Sequence, residues 1–327
     1  MIPPLAERFR DRLPFGSETP VVSLGEGSTP LLRAVRTGER LGCELWLKWE
    51  GANPTGSFKD RGMTVAVSKA LEEGARAVVC ASTGNTAASA AAYAARAGLA
   101  CAILQPAGAV AAGKVAQAVA LGARVVAVRG TFDESLAAAR RLADRGTHVL
   151  VNSLNPYRLE GQKTAALELF EELGGPPDVL ALPYGGGGNT CAYARGFGEA
   201  GEGMPRIVAA EAAERAATLA TAIRIAEPVH RADAENAVAQ SGGTIVSLPD
   251  AEIVAAWREL AVVEGIFSEP ASAAGLAALD RERPPRGARV VCVITGHGLK
   301  DTDAVARSLP QPVEVDADPD EIAEAAA

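Results

Sequence analysis

Lys59 stands in the segment NPTGSFKDRG (53–62), where a Pro-Thr-Gly turn leads through Ser57 and Phe58 into an apparent helix. A cation is disfavoured at the positive end of a helix, so this position should depress the ammonium pKa and favour the free amine. A free amine attacks aldehydes and forms imines. The plain alternative is a solvated charge on an exposed first turn, the ordinary fate of a lysine. A second stretch, ASTGNTAASAAAYAARAG (81–98), ends an apolar strand in a Ser-Thr-Gly-Asn-Thr turn and continues as an alanine-rich helix. The unpaired amides of such a first turn suit a carboxylate. Ser82, Thr83 and Thr86 either belong to that anion site or are ordinary caps. Asn85 is harder to explain as a cap, and its amide can hydrogen-bond a phenolic oxygen on a flat ring lying beside the turn. The third stretch, YGGGGNT (184–190), joins the apolar run DVLALPY directly to a helical one. Four glycines present backbone amides without obstruction and can wrap a phosphate at a helix start. A floppy linker seldom sits between a buried strand and its helix.

Two nucleotide-binding patterns fail. GAVAAGKV (108–115) has the spacing of a phosphate-binding P-loop but ends in Val115, where magnesium needs a Ser or Thr hydroxyl. No GxGxxG follows the first strand of either apparent sheet with an acidic residue about twenty positions on.

Elements able to position these groups alternate along the chain. AVVCAS (77–82), ACAILQ (100–105), RVVAVRG (124–130) and HVLVNS (148–153) read as strands. Helical stretches Thr86–Arg96, Gly113–Leu121 and Asp133–Arg145 separate them, the signature of parallel βαβ units. DVLALPY (178–184), RIVAAE (206–211), GTIVSL (243–248) and RVVCVIT (289–295) predict a second sheet. The fold class is therefore α/β, with two open, mostly parallel twisted sheets and covering helices. Alternation alone leaves open whether the sheets are consecutive or nested. The acidic, alanine-rich tail after Pro312 is expected to fray.

A length of 327 residues gives a prior of about two domains. Aromatics are only 4% of a chain that is 48% hydrophobic, so the core must be built from Ala, Val, Leu and Ile. A formal charge of −8 repels nucleic-acid backbones and anionic membranes alike, which excludes both as expected partners. Any phosphate ligand must then be captured by local geometry. Five widely spaced cysteines without a CxxC pair read as reduced core residues, and three scattered histidines give no metal-ligand spacing. No metal is expected. With neither a signal peptide nor a membrane-spanning run, a cytoplasmic enzyme is the expectation.

Taken together, LGEGSTPLL (24–32), KWEGANPTGSFKDRG (48–62), STGNTAASAAAYAARAG (82–98), NPYRLEGQKTAA (155–166), YGGGGN (184–189), SEPASAAG (268–275) and ITGHGLKD (294–301) resemble the threonine synthase family. That family lies within the tryptophan-synthase-β-like group of pyridoxal-phosphate enzymes of fold type II. The resemblance runs from about residue 21 to 303. It implies pyridoxal 5'-phosphate held as an imine by Lys59, the catalytic residue, with Phe58 beside it and Asn85 on the ring hydroxyl. Gly185, Gly186, Gly187, Gly188 and Asn189 would hold the cofactor phosphate, and Thr295 would meet the pyridine nitrogen. Ser82, Thr83 and Thr86 would receive the substrate carboxylate. Asn152, Ser153 and Arg158 are the candidates for the substrate phosphate, Arg158 because a guanidinium offers paired donors. The implied reaction makes L-threonine and phosphate from O-phospho-L-homoserine and water. A large domain (1–55 and 155–327) and an inserted mobile small domain (56–154) are expected, in a homodimer.

The chain departs from the family pattern at Ala107 and Ala109, where Glu and Lys are common, and at Ala226 and Glu227, where Gly and Asn are usual. A negative charge facing a phosphorylated substrate would be unfavourable. Two other readings therefore stand beside the first: a paralog performing another elimination, β-replacement or dehydration on an amino acid, and a non-catalytic or nucleotide-binding α/β protein.

Overall fold

The computed structural model describes residues 3–108, 112–201, 203–306, 309 and 313–326. Its strands are β1 (Leu31–Arg33), β2 (Glu44–Trp49), β3 (Ala77–Ala81), β4 (Ala100–Pro106), β5 (Arg124–Val128), β6 (Val149–Leu150), β7 (Val179–Pro183), β8 (Arg206–Ala212), β9 (Thr244–Leu248) and β10 (Arg289–Ile294). Among the described residues they form a six-stranded sheet, in the order β1-β2-β10-β7-β8-β9, and a four-stranded sheet, β5-β4-β3-β6. Only β1 runs antiparallel to its neighbour. Parallel sheets are covered on both faces, which explains why β3 and β7 are unbroken apolar runs with every residue buried. The chain leaves the larger sheet after β2, completes the smaller one, and returns at β7. The sheets are nested.

Parallel register brings the functional segments to a common edge. β10 pairs with β2 along its whole length, Arg289 opposite Glu44 through Ile294 opposite Trp49, and with β7 on its other side. The residues that follow these three strands therefore emerge together, at the carboxyl ends where open α/β sheets bind ligands. They are the turn before Lys59, Thr295 to Lys300, and the tetraglycine run. Ser82 to Thr86 follow β3, and Asn152 and Ser153 follow β6.

The expected helices appear as Asn85–Ala97, Ala112–Ala120 and Phe132–Asp144, within two residues of their predicted ends. Thr131 and Glu134 close a reciprocal capping box on the last of these. The tail forms a short helix, Pro319–Ala326, with no buried residue. Two apolar cores sandwich the larger sheet, one centred on Trp257 and Leu276 and the other on Tyr193 and Phe197. A third packs alanines of the Asn85–Ala97 helix against β3. All five cysteines are free, three of them buried. No described helix is long and apolar enough to cross a membrane.

Two strands were not expected from the sequence. β1 is three residues long, and β2, ELWLKW, carries Glu44 and Lys48 within an apolar run. Conversely, HVLVNS shortens to the two residues of β6. The ladder is extended there by a side chain: Asn152 accepts from Ala81 N and donates to Ala81 O, both at 2.9 Å.

Candidate active site

The turn before Lys59 is clamped to the segment that follows β10. Phe58 N donates to Thr295 O at 3.1 Å, His297 N donates to Gly56 O at 2.9 Å, and Ser57 bridges Gly296. Gly56 adopts φ +87°, a left-handed conformation that favours glycine. Asp60 fastens the turn from the helix side, accepting from Thr55 N, Thr55 Oγ1 and Ser89 Oγ at 2.6–2.7 Å. Lys59 thus begins the helix Lys59–Glu72 at a fixed point, its Nζ lying 4.1 Å from the centre of the Phe58 ring. Burial pushes its amine down to about 7, Arg158 pushes the same way, and Glu269 opposes. The direction agrees with the sequence argument. The cause is different, since desolvation and a neighbouring cation act here where a helix end was invoked.

Beneath this helix lies a buried ionic network. Arg61 donates to Glu50 from Nε (2.6 Å) and to Glu168 from both terminal nitrogens (2.8 and 2.7 Å). Lys48 lies 3.1 Å from Glu168 and also pairs with Glu172. Burial raises the Glu168 carboxyl, but Arg61 and Lys48 overcome it and hold the group down to about 2. Two glycines let the helix Pro156–Leu173 cross the Lys59 helix backbone to backbone. A Cβ on Gly161 would sit 1.9 Å from Arg61 O, and one on Gly62 would sit 2.6 Å from Arg158 O.

That crossing delivers Arg158, one of the largest fully buried side chains, close to Lys59. Its Nη1 donates to Val151 O at 2.8 Å, its Nε is buried without a partner, and burial lowers the guanidinium to about 10. No carboxylate hydrogen-bonds it among the described residues. The Asn152 amide oxygen and one of its N–H groups are taken by Ala81, so this side chain extends the sheet and has one N–H left for a ligand. Ser153 remains partly open, its carbonyl accepting from His230 Nε2 at 2.9 Å, which places the imidazole proton on Nε2. His230 was not foreseen. It also donates its backbone N–H to Gly186 O, and it crowds Gly187, where a Cβ would lie 2.9 Å from His230 O.

Facing Lys59, the Asn85–Ala97 helix starts from the partly exposed turn Ser82 to Thr86. Ser82 Oγ accepts from Gly84 N and Ala87 N, both at 3.2 Å, so the capping role describes this hydroxyl. Thr83 and Thr86 lie on the same open turn. Asn85 Nδ2 donates to both carboxyl oxygens of buried Glu269 at 3.1 Å. Glu269 is the chief residue the sequence reading missed, although its motif, SEPASAAG, was in view. Thr295 Oγ1 pairs with Ser272 Oγ at 2.9 Å, and Ser272 Oγ in turn receives Gly296 N, which fixes the hydroxyl at the end of β10.

The tetraglycine run turns at Gly187 (φ +82°) into the helix Gly188–Ala200. The first amides of a helix have no intrahelical acceptor, and the side-chain amide nitrogen of Asn189 is buried here with no partner among the described residues. A buried donor left unmade is costly, so this cradle fits an anionic ligand. An amine of lowered pKa, a phosphate cradle and a hydroxyl at the end of β10 match the parts of a pyridoxal phosphate site.

Comparison with known proteins agrees. Residues 22–296 match the family model of pyridoxal-phosphate dependent enzymes. The chain belongs to this family. Within it, the chain is 49% identical to the threonine synthase of Mycobacterium tuberculosis strain H37Rv, over 97% of this chain and 94% of that protein. It is 47% identical to the threonine synthase of Halalkalibacterium halodurans, over 93% and 92% respectively. Among solved structures, maize serine racemase superposes with a TM-score of 0.74 at 23% identity, over 86% of this chain and 91% of that one. That likeness concerns the fold alone. The chain is a pyridoxal-phosphate-dependent lyase of fold type II, and the non-catalytic and nucleotide-binding readings are set aside.

One departure from the family pattern loses its force in three dimensions. The Glu227 side chain is 90% exposed and points toward Arg231, 3.5 Å away, so it projects into solvent. Ala226 and Ala107 are likewise exposed. Ala109 lies outside the described residues. Among the described residues there is no His, Cys, Asp and Glu cluster able to hold a metal ion.

Proposed function

We propose that the chain converts O-phospho-L-homoserine and water to L-threonine and inorganic phosphate. The observation that carries this reading is Arg158, a buried guanidinium beside Lys59 that no carboxylate hydrogen-bonds among the described residues, with only the carboxylate field of Asp60 to offset its charge. A buried charge is costly unless hydrogen-bonded by its counter-ion, and the phosphate of a substrate would supply the contact Asp60 does not make.

Lys59 is the catalytic residue in this scheme, with Phe58 packed against its amine. The glycines Gly185 to Gly188 and Asn189 would hold the cofactor phosphate, Thr295 Oγ1 would meet the ring nitrogen, and Asn85 would meet the ring hydroxyl. Bound pyridoxal phosphate supplies an electron sink for charge developing on the substrate carbons. With its amine near neutral pKa, Lys59 takes the proton from Cα and then assists its loss from Cβ. Arg158 and Ser153 steady the phosphate as it leaves Cγ. The amides of Thr83, Asn85 and Thr86, together with the Thr83 and Thr86 hydroxyls, orient the substrate carboxylate. Lys59 returns one proton to Cγ and one to Cα, hydroxide from one water adds at Cβ, and that water's remaining proton leaves with the phosphate.

Residues 56–154 form the mobile small domain of this scheme, and its closure keeps water out until the addition step. We also infer a cytoplasmic homodimer, which mass measurement in solution will test. The functional experiment is phosphate release coupled to threonine formation from O-phospho-L-homoserine. Serine, threonine and phosphoserine are run alongside, and turnover of these alone would overturn the reading.

A further inference from the structure

Glu269 has no place in the scheme above, yet it is buried against the site on every side. Its backbone N–H donates to Gly296 O at 3.1 Å, and a Cβ on Gly296 would lie 2.4 Å from its Oε1, so the carboxyl rests directly on the segment after β10. Its two oxygens straddle Asn85 Nδ2 at equal distances of 3.1 Å. Asn85 belongs to the half of the molecule built on the four-stranded sheet, and Glu269 to the half built on the six-stranded sheet. Lys59 and Lys300 face the carboxyl with positive charge, and Asp301 faces it with negative.

An asparagine amide can present either its oxygen or its nitrogen to a ligand, and the two ends differ little in shape. A carboxylate accepts only, so it selects the nitrogen. We propose that Glu269 is a positioning residue for Asn85: it fixes the direction of the Asn85 amide across the cleft and thereby sets which group that side chain offers to the cofactor ring. The inference rests on the reading of Asn85 as a cofactor contact. Burial raises the Glu269 carboxyl to about 7 against the Asn85 hydrogen bond, so the strength of this hold changes near neutrality. A protonated carboxyl keeps one acceptor oxygen for Asn85 and loses its charge.

The test uses cofactor-loaded protein and reads two quantities besides turnover: the pH midpoint of the cofactor absorbance band and the retention of cofactor on dilution. Wild type, Asn85→Ala, Glu269→Ala, Glu269→Gln and the double variant Asn85→Ala with Glu269→Ala are compared. Glu269→Ala is expected to shift the midpoint in the same direction as Asn85→Ala and to weaken retention about tenfold, the scale of losing a hydrogen bond to a charged group. The double variant should be no worse than Asn85→Ala alone, because the two residues act as one unit. Glu269→Gln keeps an acceptor for Asn85 Nδ2 and should recover most of the retention. A wild-type band in Glu269→Ala, with an altered one in Asn85→Ala, overturns this proposal and leaves Asn85 as a cofactor contact. A wild-type band in Asn85→Ala overturns both. Should Glu269→Ala fail to fold, the same cycle with Glu269→Leu, which fills the space and removes the acceptor, carries the test, and additive effects overturn the proposal.

Discussion

Two charged regions meet at the Lys59 helix, and they are built on opposite rules. Beneath the helix, Arg61, Glu50, Glu168 and Lys48 are buried and partnered several times over. On the other side, and among the described residues, Arg158 keeps a buried Nε without a partner, Asn189 keeps a buried amide nitrogen without one, and Lys59 is held near neutral pKa. Saturated charges hold a geometry, and under-partnered ones wait for a ligand. The difference teaches that burial alone does not mark a functional ion. The missing partner does.

The sharpest way to break this comparison is Lys59→Ala. Activity is expected to fall about 10²–10⁴-fold, the range of a lost acid–base group, while the fold survives. Stability supplies a second readout. Between pH 7 and the ordinary lysine value of 10.5, the unfolded chain binds a proton at Lys59 that the folded chain does not. Without cofactor, wild-type stability should therefore gain an upward slope with pH across that window, and urea titrations of the variant should lack it.

Glu168→Ala should do the reverse, leaving Arg61 and Lys48 with an uncompensated buried charge. A loss of about 3–5 kcal/mol in denaturant unfolding is expected, and cofactor bound per folded molecule should stay near wild type. Arg158→Ala comes next. Its KM for a phosphorylated amino acid should rise roughly 10–100-fold, as expected for charge-assisted hydrogen bonds, with little change in the affinity for an unphosphorylated one. Equal effects on both substrates would move Arg158 into the saturated class. The smallest effect belongs to Thr131→Ala, remote from both regions, which removes the capping box of the Phe132–Asp144 helix. It should lower stability by about 1 kcal/mol, seen in the thermal midpoint, without altering the cofactor spectrum.

The sequence made the parallel strands legible because both of their faces are buried, which leaves runs such as DVLALPY without a polar break. It hid β2 because Lys48 is neutralised by Glu168 and Glu172, residues more than a hundred positions away. The same remoteness separates the parts of the site that were legible from those that were not. Lys59 and the tetraglycine run announce themselves through local turn chemistry. Glu269 acts through Asn85, and His230 through Ser153 and Gly186, contacts that exist only once the sheets are nested. Asn152 adds a contact of the same kind, since its amide mimics a strand's own hydrogen bonds toward Ala81, which is remote in sequence.

The central claim is that the Lys59 amine carries the cofactor. Reducing the cofactor-loaded protein with borohydride and mapping the pyridoxyl label by peptide mass spectrometry tests it most directly. The account predicts one labelled peptide with the added mass on Lys59. A label on Lys300, Lys48 or any other lysine, with Lys59 unmodified, would contradict it.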